Sequence, residues 1–304
     1  MIRIRKSALR GCIGLLCTAL LPLAVQAQPS GVDTLQRIRD RGYITLGHRE
    51  SSVPFSFYDE NGHVVGYSHD LALRVVDAVR RHLREPLLVL RLIPVSSTNR
   101  ISRIRTGEID LECGSTTHNS VRARQVSFSN SIFIIGTRML TARSSGIHDF
   151  PDLGGRRVVT TSGTTSERLL RRMNQEQQMG MSIVTAPDHA ESFHVLERGE
   201  ADAFMMDDAL LYGELAKASD PQRWVVTGTP QSFEAYGCMM RRGDTAFKRL
   251  VDGALEQIMK SGEAERIYHK WFMSPLPSTG LNLNYPLSET MRSLYENPND
   301  KPFQ

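Results

Sequence analysis

The sequence of 304 residues is poor in cysteine and in long apolar segments, and each shortage excludes a class of protein. Its four cysteines form no CxxC pair, which disfavours a zinc-finger-type site. Beyond residue 27 no apolar run reaches the roughly 20 residues that a spanning helix needs, so a soluble product is predicted. Walker A, GxSxG and HExxH motifs are also absent. The sequence therefore carries neither an ATPase motif nor a specific catalytic signature.

The first 27 residues have the pattern of an export signal. Four basic residues lie between positions 3 and 10, an apolar stretch covers 12–25, and no acidic residue precedes Asp33. Small residues then predict cleavage after Ala27. A membrane anchor is the alternative, but the apolar stretch is short for one. A lipoprotein anchor at Cys12 or Cys17 is disfavoured because bulky residues stand where a lipobox has small ones.

Removal of this leader changes what the charge implies. The whole sequence has 37 basic and 33 acidic residues, and four of the basic residues belong to the leader. The remaining chain is therefore formally neutral, and no nucleic-acid surface is predicted from its charge.

Two cysteines, Cys113 and Cys238, remain after cleavage. In an oxidising compartment a pair of thiols more often forms a disulfide than stays free, and two cysteines allow only one intramolecular pairing. A metal site is the alternative, although neither cysteine has a CxxC or HxxxH companion.

Short apolar strands alternate with amphipathic helices along the chain, which indicates an α/β architecture. About 277 residues after cleavage are enough for two domains. The predicted strands are 43–47, 88–95, 109–113, 157–161, 182–185, 203–206 and 224–227. Residues 55–67 are predicted to form a hairpin that turns at 60–62, followed by a helix through residue 83. The tail from Pro275 carries one helical piece near 288–295 and is expected to wrap over a domain.

An internal echo indicates paired lobes. Residues 105–110 (RTGEID) and 197–202 (ERGEAD) each precede a predicted strand, and Ser115 and Asp207 lie eight residues beyond the two glycines. Open α/β sheets place their ligands at the carboxyl ends of strands. The echo therefore predicts two similar lobes that face a common cleft.

Four stretches in order carry a resemblance to a known family. They are residues 47–56 (GHRESSVPFS), 112–117 (ECGSTT), 161–166 (TSGTTS) and 203–208 (AFMMDD). With these stretches the chain closely resembles the periplasmic glutamate/aspartate-binding proteins of ABC importers, which belong to the family 3, polar amino-acid-binding, solute-binding proteins. The resemblance extends over roughly residues 32–302.

The resemblance implies a two-lobed periplasmic-binding-protein fold of type II, in which the chain crosses between lobes twice. The crossings are expected near residues 131–136 and 230–234. One lobe would then comprise 28–133 plus 233–304, and the other 134–232. Both cysteines would lie on strands of the first lobe. No cofactor is expected.

The resemblance also implies a role for each candidate binding residue. Arg122 would clamp the α-carboxylate of the ligand, and Asp207 would pair with its ammonium group. Arg49, Ser97, Arg100 and His189 would surround the distal carboxylate. Hydroxyl and backbone groups would come from Ser115, Thr117, Thr164 and Thr165. Alone, the histidine would be read as a surface residue, and the two threonines before the helix as ordinary caps.

The implied function is capture of L-glutamate or L-aspartate by a monomer in the periplasm for a membrane permease driven by a separate ATPase. A periplasmic dehydratase-like enzyme on the same fold is the alternative, and release of an altered ligand would distinguish it. A sensor module is a second alternative, but such modules are usually fused to a membrane or kinase segment.

Overall fold

A computed structural model of the protein describes residues 1–2, 33–277 and 280–302. The predicted leader and its cleavage site after Ala27 lie outside these residues. Val32–Gln304 form one compact unit. Of the helices in the described ranges, none combines the length and the apolarity needed to cross a bilayer.

Helices and strands alternate along most of this unit. The helices are α1 Thr34–Arg41, α2 Tyr67–Leu83, α3 Arg100–Thr106, α4 Ser120–Ala123, α5 Thr165–Glu176, α6 His189–Glu197, α7 Asp208–Leu215, α8 Thr245–Lys260, α9 Glu263–Phe272 and α10 Glu289–Glu296. The strands are β1 Tyr43–His48, β2 Ser51–Ser52, β3 Ser56–Tyr58, β4 Val64–Val65, β5 Val89–Pro94, β6 Leu111–Glu112, β7 Val126–Ala142, β8 Arg157–Thr161, β9 Ser182–Ala186, β10 Ala203–Asp207, β11 Trp224–Thr227 and β12 Phe233–Arg241.

The long strand β7 joins two groups of strands. The hydrogen-bonded order is β5-β1-β6-β12-β7-β10-β8-β9, and β11 also pairs with β7. Residues 126–136 of β7 pair with β12 in antiparallel register, whereas residues 137–142 pair with β10 and β11. Within each group three neighbouring strands run parallel, namely β5-β1-β6 in one and β10-β8-β9 in the other. This division by one continuous strand produces the two-lobed α/β fold that the resemblance implies.

Most predicted elements are present at nearly the expected places. The strand at 157–161 and the one at 224–227 agree at both ends, and the predicted hairpin is formed by β3 and β4. The echo is also confirmed, because Gly107 follows α3 and Gly199 follows α6, each with a positive φ before its strand. Glycine adopts such a φ without the steric penalty that a side chain would add.

An aromatic core holds the first group of strands against the carboxyl-terminal helices. Phe55 contacts Phe133 edge to face with ring centroids 4.8 Å apart, and Phe133 stacks on Phe272 at 5.0 Å. Tyr67 donates a hydrogen bond to the carbonyl of Ile132, so its buried hydroxyl is satisfied. These contacts place the core directly under β7, where the chain passes from one lobe to the other.

Cys113 and Cys238 form a disulfide, which confirms the predicted pairing. Cys113 directly follows β6 and Cys238 lies within β12, the antiparallel neighbour of β6. The bond therefore stays within one group of strands and does not tie the two lobes together.

Candidate functional site

The candidate binding residues gather where strands of both lobes end. Arg49 follows β1, Arg100 begins the helix after β5, and Asp207 ends β10. Parallel strands direct their carboxyl ends to one edge of a sheet, which is why residues distant in sequence meet here. Nine of the candidates are buried, namely Arg49, Ser97, Arg100, Ser115, Thr117, Arg122, Thr164, His189 and Asp207, and Thr165 is half-buried.

Contacts across the site show that the lobes face each other closely. The Thr117 and Thr165 hydroxyls lie 3.2 Å apart, and Arg122 Nη2 donates to the carbonyl of Gly163 over 3.2 Å. A Cβ added to Gly163 would lie 3.0 Å from the main-chain carbonyl of Ser97. A side chain at this position would push the lobes apart, so the glycine permits their approach.

Arg122 is held by neutral groups. Its Nη1 donates to the carbonyl of Thr117 over 3.0 Å, and its Nε is buried without a partner among the described residues. Burial lowers the pKa of Arg122 to about 9, and the positive charges of Arg100 and Arg168 act in the same direction. An anion beside this guanidinium would offset the cost of burying its charge.

Arg49 and Arg100 converge on Ser115. Arg49 Nη1 donates to the Ser115 hydroxyl over 3.4 Å, and Arg100 Nη1 donates to the Ser115 carbonyl over 3.0 Å. Burial lowers the pKa of both guanidiniums, that of Arg49 to about 10 with a further contribution from Arg100. Within the described residues, the side-chain hydrogen bonds of these two arginines and of Arg122 go to hydroxyl or carbonyl oxygens and not to carboxylates.

Glu112 is a buried acid that the sequence reasoning did not assign to the site. It ends β6 and is fully buried, and its Oε2 accepts a hydrogen bond of 2.9 Å from Thr116. Burial raises the pKa of Glu112, whereas Arg100 and Arg49 oppose that rise. Its position at the end of a strand, inside one of the family stretches, was the signal that would have found it.

Asp207 accepts hydrogen bonds from three side chains. Thr137 donates to Oδ1 over 2.8 Å, Ser166 donates to the same atom over 3.3 Å, and the Tyr236 hydroxyl donates to Oδ2. Burial and then the negative charge of Glu234 raise the pKa of Asp207 to about 7, against the lowering effect of the Tyr236 and Thr137 hydrogen bonds. A cation placed beside this carboxylate would favour its ionised form. The three donors were not predicted because they come from three different elements.

His189 starts α6, and one of its ring nitrogens contacts Thr161 in the same lobe. Its Nδ1 lies 2.9 Å from the Thr161 hydroxyl, whereas its Nε2 is buried without a partner among the described residues. Burial, followed by the charges of Arg49 and Arg100, holds the pKa of His189 well below its ordinary value. The ring is therefore neutral at physiological pH.

The two threonines at the start of α5 have different contacts. The Thr164 hydroxyl accepts from the Glu167 amide over 3.0 Å and donates to the Thr161 carbonyl over 2.7 Å, so it serves as the helix cap. The Thr165 hydroxyl instead faces Thr117 in the other lobe. Both the capping role and the site position that the sequence allowed for Thr164 are thus compatible.

Buried polar atoms without partners are concentrated at this site. Among the described residues they include Ser97 Oγ, Arg100 Nε, Glu112 Oε1, Arg122 Nε and His189 Nε2. Most buried polar groups in native proteins are hydrogen-bonded, so such a cluster indicates a place where a polar ligand supplies the missing partners.

The comparison with known proteins agrees with this geometry. The family model for bacterial extracellular solute-binding proteins, family 3, matches residues 44–274. The L-glutamate/L-aspartate-binding protein of Pseudomonas aeruginosa is 56% identical over 269 residues, which cover 88% of this chain and 89% of that protein. The glutamate/aspartate import solute-binding protein of Escherichia coli K12 is 50% identical over 300 residues, which cover 99% of each chain.

A solved structure has the same fold. A mutant of ArgBP from T. maritima superimposes with a TM-score of 0.70 at 28% identity, covering 79% of this chain and 99% of that one. The region that the family model matches contains both groups of strands and the buried polar cluster between them. The chain therefore belongs to family 3 of the bacterial extracellular solute-binding proteins.

Proposed function

We propose that this protein captures L-glutamate or L-aspartate between its two lobes and delivers it to the permease of an ABC importer. The observation that carries the proposal is the group of three buried guanidiniums, Arg49, Arg100 and Arg122, whose side-chain hydrogen bonds within the described residues go only to neutral oxygens. An amino acid with two carboxylates supplies what these groups lack. The relatives in Pseudomonas aeruginosa and Escherichia coli are named for the same two ligands.

Charge balance favours an acidic ligand over its amide. The charged side chains of the site that are no more than 2% exposed are Arg49, Arg100, Arg122, Glu112 and Asp207. When Glu112 and Asp207 are both ionised, three positive and two negative charges leave one positive charge in excess. Glutamate and aspartate carry one net negative charge at neutral pH and would cancel it. Glutamine would leave a buried guanidinium unpaired, at a cost of about 3–5 kcal/mol.

For the orientation of the ligand we propose the roles that the family resemblance implies. Arg122, with Thr117 beside it, would bind the α-carboxylate through two parallel N–H donors. Asp207 would bind the ammonium group in the second lobe. The side-chain carboxylate would then lie between Arg49, Arg100 and His189, with Ser97, Ser115, Thr164 and Thr165 supplying further hydroxyl and backbone groups.

Delivery would use closure of the lobes. We propose that the lobes comprise residues 28–133 plus 233–304 and residues 134–232, and the change in the partners of β7 at residue 137, three residues beyond that boundary, supports a division in this part of the strand. A ligand that contacts both lobes favours the closed form only through those extra contacts. The closed monomer in the periplasm, after cleavage of the leader behind Ala27, would dock on a permease whose ATPase is a separate subunit. The relatives are named as binding proteins, which does not support the dehydratase alternative.

Titration calorimetry of the ligand-free protein tests the proposal. Protein unfolded and refolded to remove any bound solute should bind glutamate or aspartate with a Kd near or below about 1 μM, which corresponds to about −8 kcal/mol. Leucine and lysine should produce no binding heat. Arg122→Ala should abolish binding, and the nearby Arg124→Ala is the matched control that should retain it. Tight binding of leucine, or no binding of either acid, would refute the proposal.

A further inference from the structure

Four side-chain oxygens form a continuous row from the end of β10 to the start of β12. Thr137 Oγ1 lies 2.8 Å from Asp207 Oδ1 and 2.9 Å from Ser232 Oγ, and Ser232 Oγ lies 2.8 Å from Glu234 Oε1. The main chain fixes this spacing, because the Thr137 amide donates to the Ser232 carbonyl and the Gln231 amide donates to the Thr137 carbonyl, both over 3.0 Å. Asp207 and Glu234 are 2% and 7% exposed, so the row has a buried acid at each end.

The row contains three contacts but, with both acids ionised, only two hydrogens. An ionised carboxylate can only accept, so Thr137 donates to Asp207 and Ser232 donates to Glu234. Each hydroxyl has a single hydrogen, and both hydrogens are then used. The 2.9 Å contact between the Thr137 and Ser232 hydroxyls would hold two facing lone pairs and no hydrogen. One additional proton on either acid supplies the third hydrogen and lets all the donors point the same way along the row.

The charges around the row also favour one bound proton. Burial first, and then the negative charge of Glu234, raises the pKa of Asp207 to about 7. Two buried acids of like charge disfavour the state in which both are ionised. Other charged or titratable side chains face the row from β12, α7, α3, α4 and α5, namely Tyr236, Asp208, Arg100, Arg122, Arg168 and Arg172. The arginines favour ionised acids, so the pair keeps one negative charge and gives up only the other.

We propose that Asp207 and Glu234 share one proton through Thr137 and Ser232 in the ligand-free protein, and that the ammonium group of the ligand displaces it. The ammonium brings a positive charge and three N–H donors, which serve both Asp207 and the Thr137 oxygen. Thr137 is then free to donate to Ser232, and Ser232 donates to Glu234. The proton leaves to the solvent through a cavity that Ser232 and Glu234 line together with the exposed Arg172. This inference rests on the proposed function and deepens it.

The shared proton makes Glu234 and Ser232 positioning residues that act on the ligand through Asp207. A proton and the ligand compete for the same row, so glutamate affinity should fall by about tenfold for each pH unit below about 7. A change at Glu234 or Ser232 should therefore alter this pH dependence, which a purely structural role would not move.

Calorimetry in buffers of low and high ionisation enthalpy counts the released protons. The unmodified protein should release about one proton per glutamate at pH 6 and close to none at pH 8. Ser232→Ala keeps both acids but breaks the row, so Thr137 donates to Asp207 without an added proton, and release at pH 6 should fall below about half. Asp208→Asn is the matched control, because it removes a neighbouring negative charge outside the row and should still release about one proton.

Glu234→Gln tests the missing hydrogen directly. The glutamine amide has N–H groups that can donate to Ser232, so it supplies the third hydrogen of the row without a proton. The ratio of glutamate affinity at pH 8 to that at pH 6 should be about tenfold in the unmodified protein and less than about twofold in this variant. Infrared difference spectra at pH 6 provide the second readout. Glutamate should remove the carbonyl band of one protonated carboxyl from the unmodified protein and should remove none from Glu234→Gln.

Two results would overturn the shared proton while leaving ligand binding intact. One is glutamate binding at pH 6 without proton release. The other is the same proton release and the same pH dependence in Ser232→Ala and Glu234→Gln as in the unmodified protein. Absence of glutamate and aspartate binding in every buffer would instead refute the proposed function, and the inference with it.

Discussion

Replacing Asp207 with asparagine should separate ligand binding from stability. The carboxylate of Asp207 is 2% exposed and is the proposed partner of the ligand ammonium. The amide has nearly the same shape and keeps an oxygen for the Thr137 and Ser166 hydroxyls, but it has no charge. Removing one member of a buried charge pair costs about 2–5 kcal/mol of binding free energy. Glutamate affinity should therefore fall by about 30-fold to several thousand-fold.

Glutamate affinity should depend on pH through the ionisation of Asp207. The pKa of Asp207 in the folded protein is raised from 3.8 to about 7 by burial first and then by Glu234. The ligand ammonium needs the ionised carboxylate, so glutamate affinity should rise as pH increases through about 7 and then level off. Asp207→Asn has no carboxyl group to titrate at this position, so its remaining affinity should change less over the same range.

Stability should change in the opposite direction. Between about pH 4 and pH 7 the folded protein holds a proton on Asp207 that the unfolded chain has lost, so the free energy of unfolding falls as pH rises through this window. The asparagine variant avoids that loss. Without ligand, the asparagine variant should melt at a higher temperature than the unmodified protein at pH 8. Its free energy of unfolding should exceed that of the unmodified protein by at most about 4 kcal/mol. The gain is reduced because Tyr236 loses its carboxylate acceptor.

Calorimetry at several pH values and thermal melting of ligand-free protein measure both effects. Asp208→Asn is the matched control, because the adjacent acid bonds to the Tyr285 hydroxyl over 2.9 Å and is not a proposed ligand contact. The reasoning is refuted if Asp207→Asn binds glutamate within threefold of the unmodified protein, or if its affinity keeps the full pH dependence.

Three further perturbations test other parts of the site. In calorimetry, Arg122→Ala should lower the affinity for every amino acid by about 100-fold or more. Arg100→Ala should lower the affinity for glutamate by the same factor, but the affinity for glutamine by less than about fivefold. Replacing Cys113 and Cys238 with serine opens a loop spanning 125 residues and should lower stability by up to about 4–5 kcal/mol in thermal melts, with glutamate affinity nearly unchanged. Gly163→Ala should hinder closure, because the new Cβ would lie 3.0 Å from the facing main chain; weaker binding and a larger radius of gyration by small-angle scattering are expected.

Each of these has a result that contradicts it. If both arginine variants lost affinity for glutamate and for glutamine equally, the distinction between the two carboxylate sites would be wrong. Unaltered melting after loss of the disulfide would show that the bond does not restrain the unfolded chain. Gly155→Ala is the control for the glycine variant, because Gly155 has a φ of 70° and a Cβ added there would meet no neighbouring atom within 4 Å. A similar loss in both glycine variants would attribute the effect to backbone strain and not to closure.

The local patterns of the sequence were sufficient for most of the secondary structure and for the family. Period-two and period-3.6 spacing of apolar residues depends on neighbours within a few positions, so strands such as β8 and β11 were predicted at both ends. The pairing of Cys113 with Cys238 was also predicted from the sequence, because only two cysteines would remain after the predicted cleavage and export would place them in an oxidising compartment. The proposed roles of Arg122 and Asp207 came from the order and spacing of the family stretches.

What the sequence could not supply was decided by contacts between distant segments. The 17-residue strand β7 was not predicted, because its two halves are selected by different partners, β12 and β10. Glu112 and Tyr236 joined the site only because β6 and β12 pair and bring their side chains to one cleft. The pKa of Asp207 and the neutrality of His189 depend on burial between two lobes. Burial and charge proximity are properties of the folded chain, and no local pattern of residues encodes them.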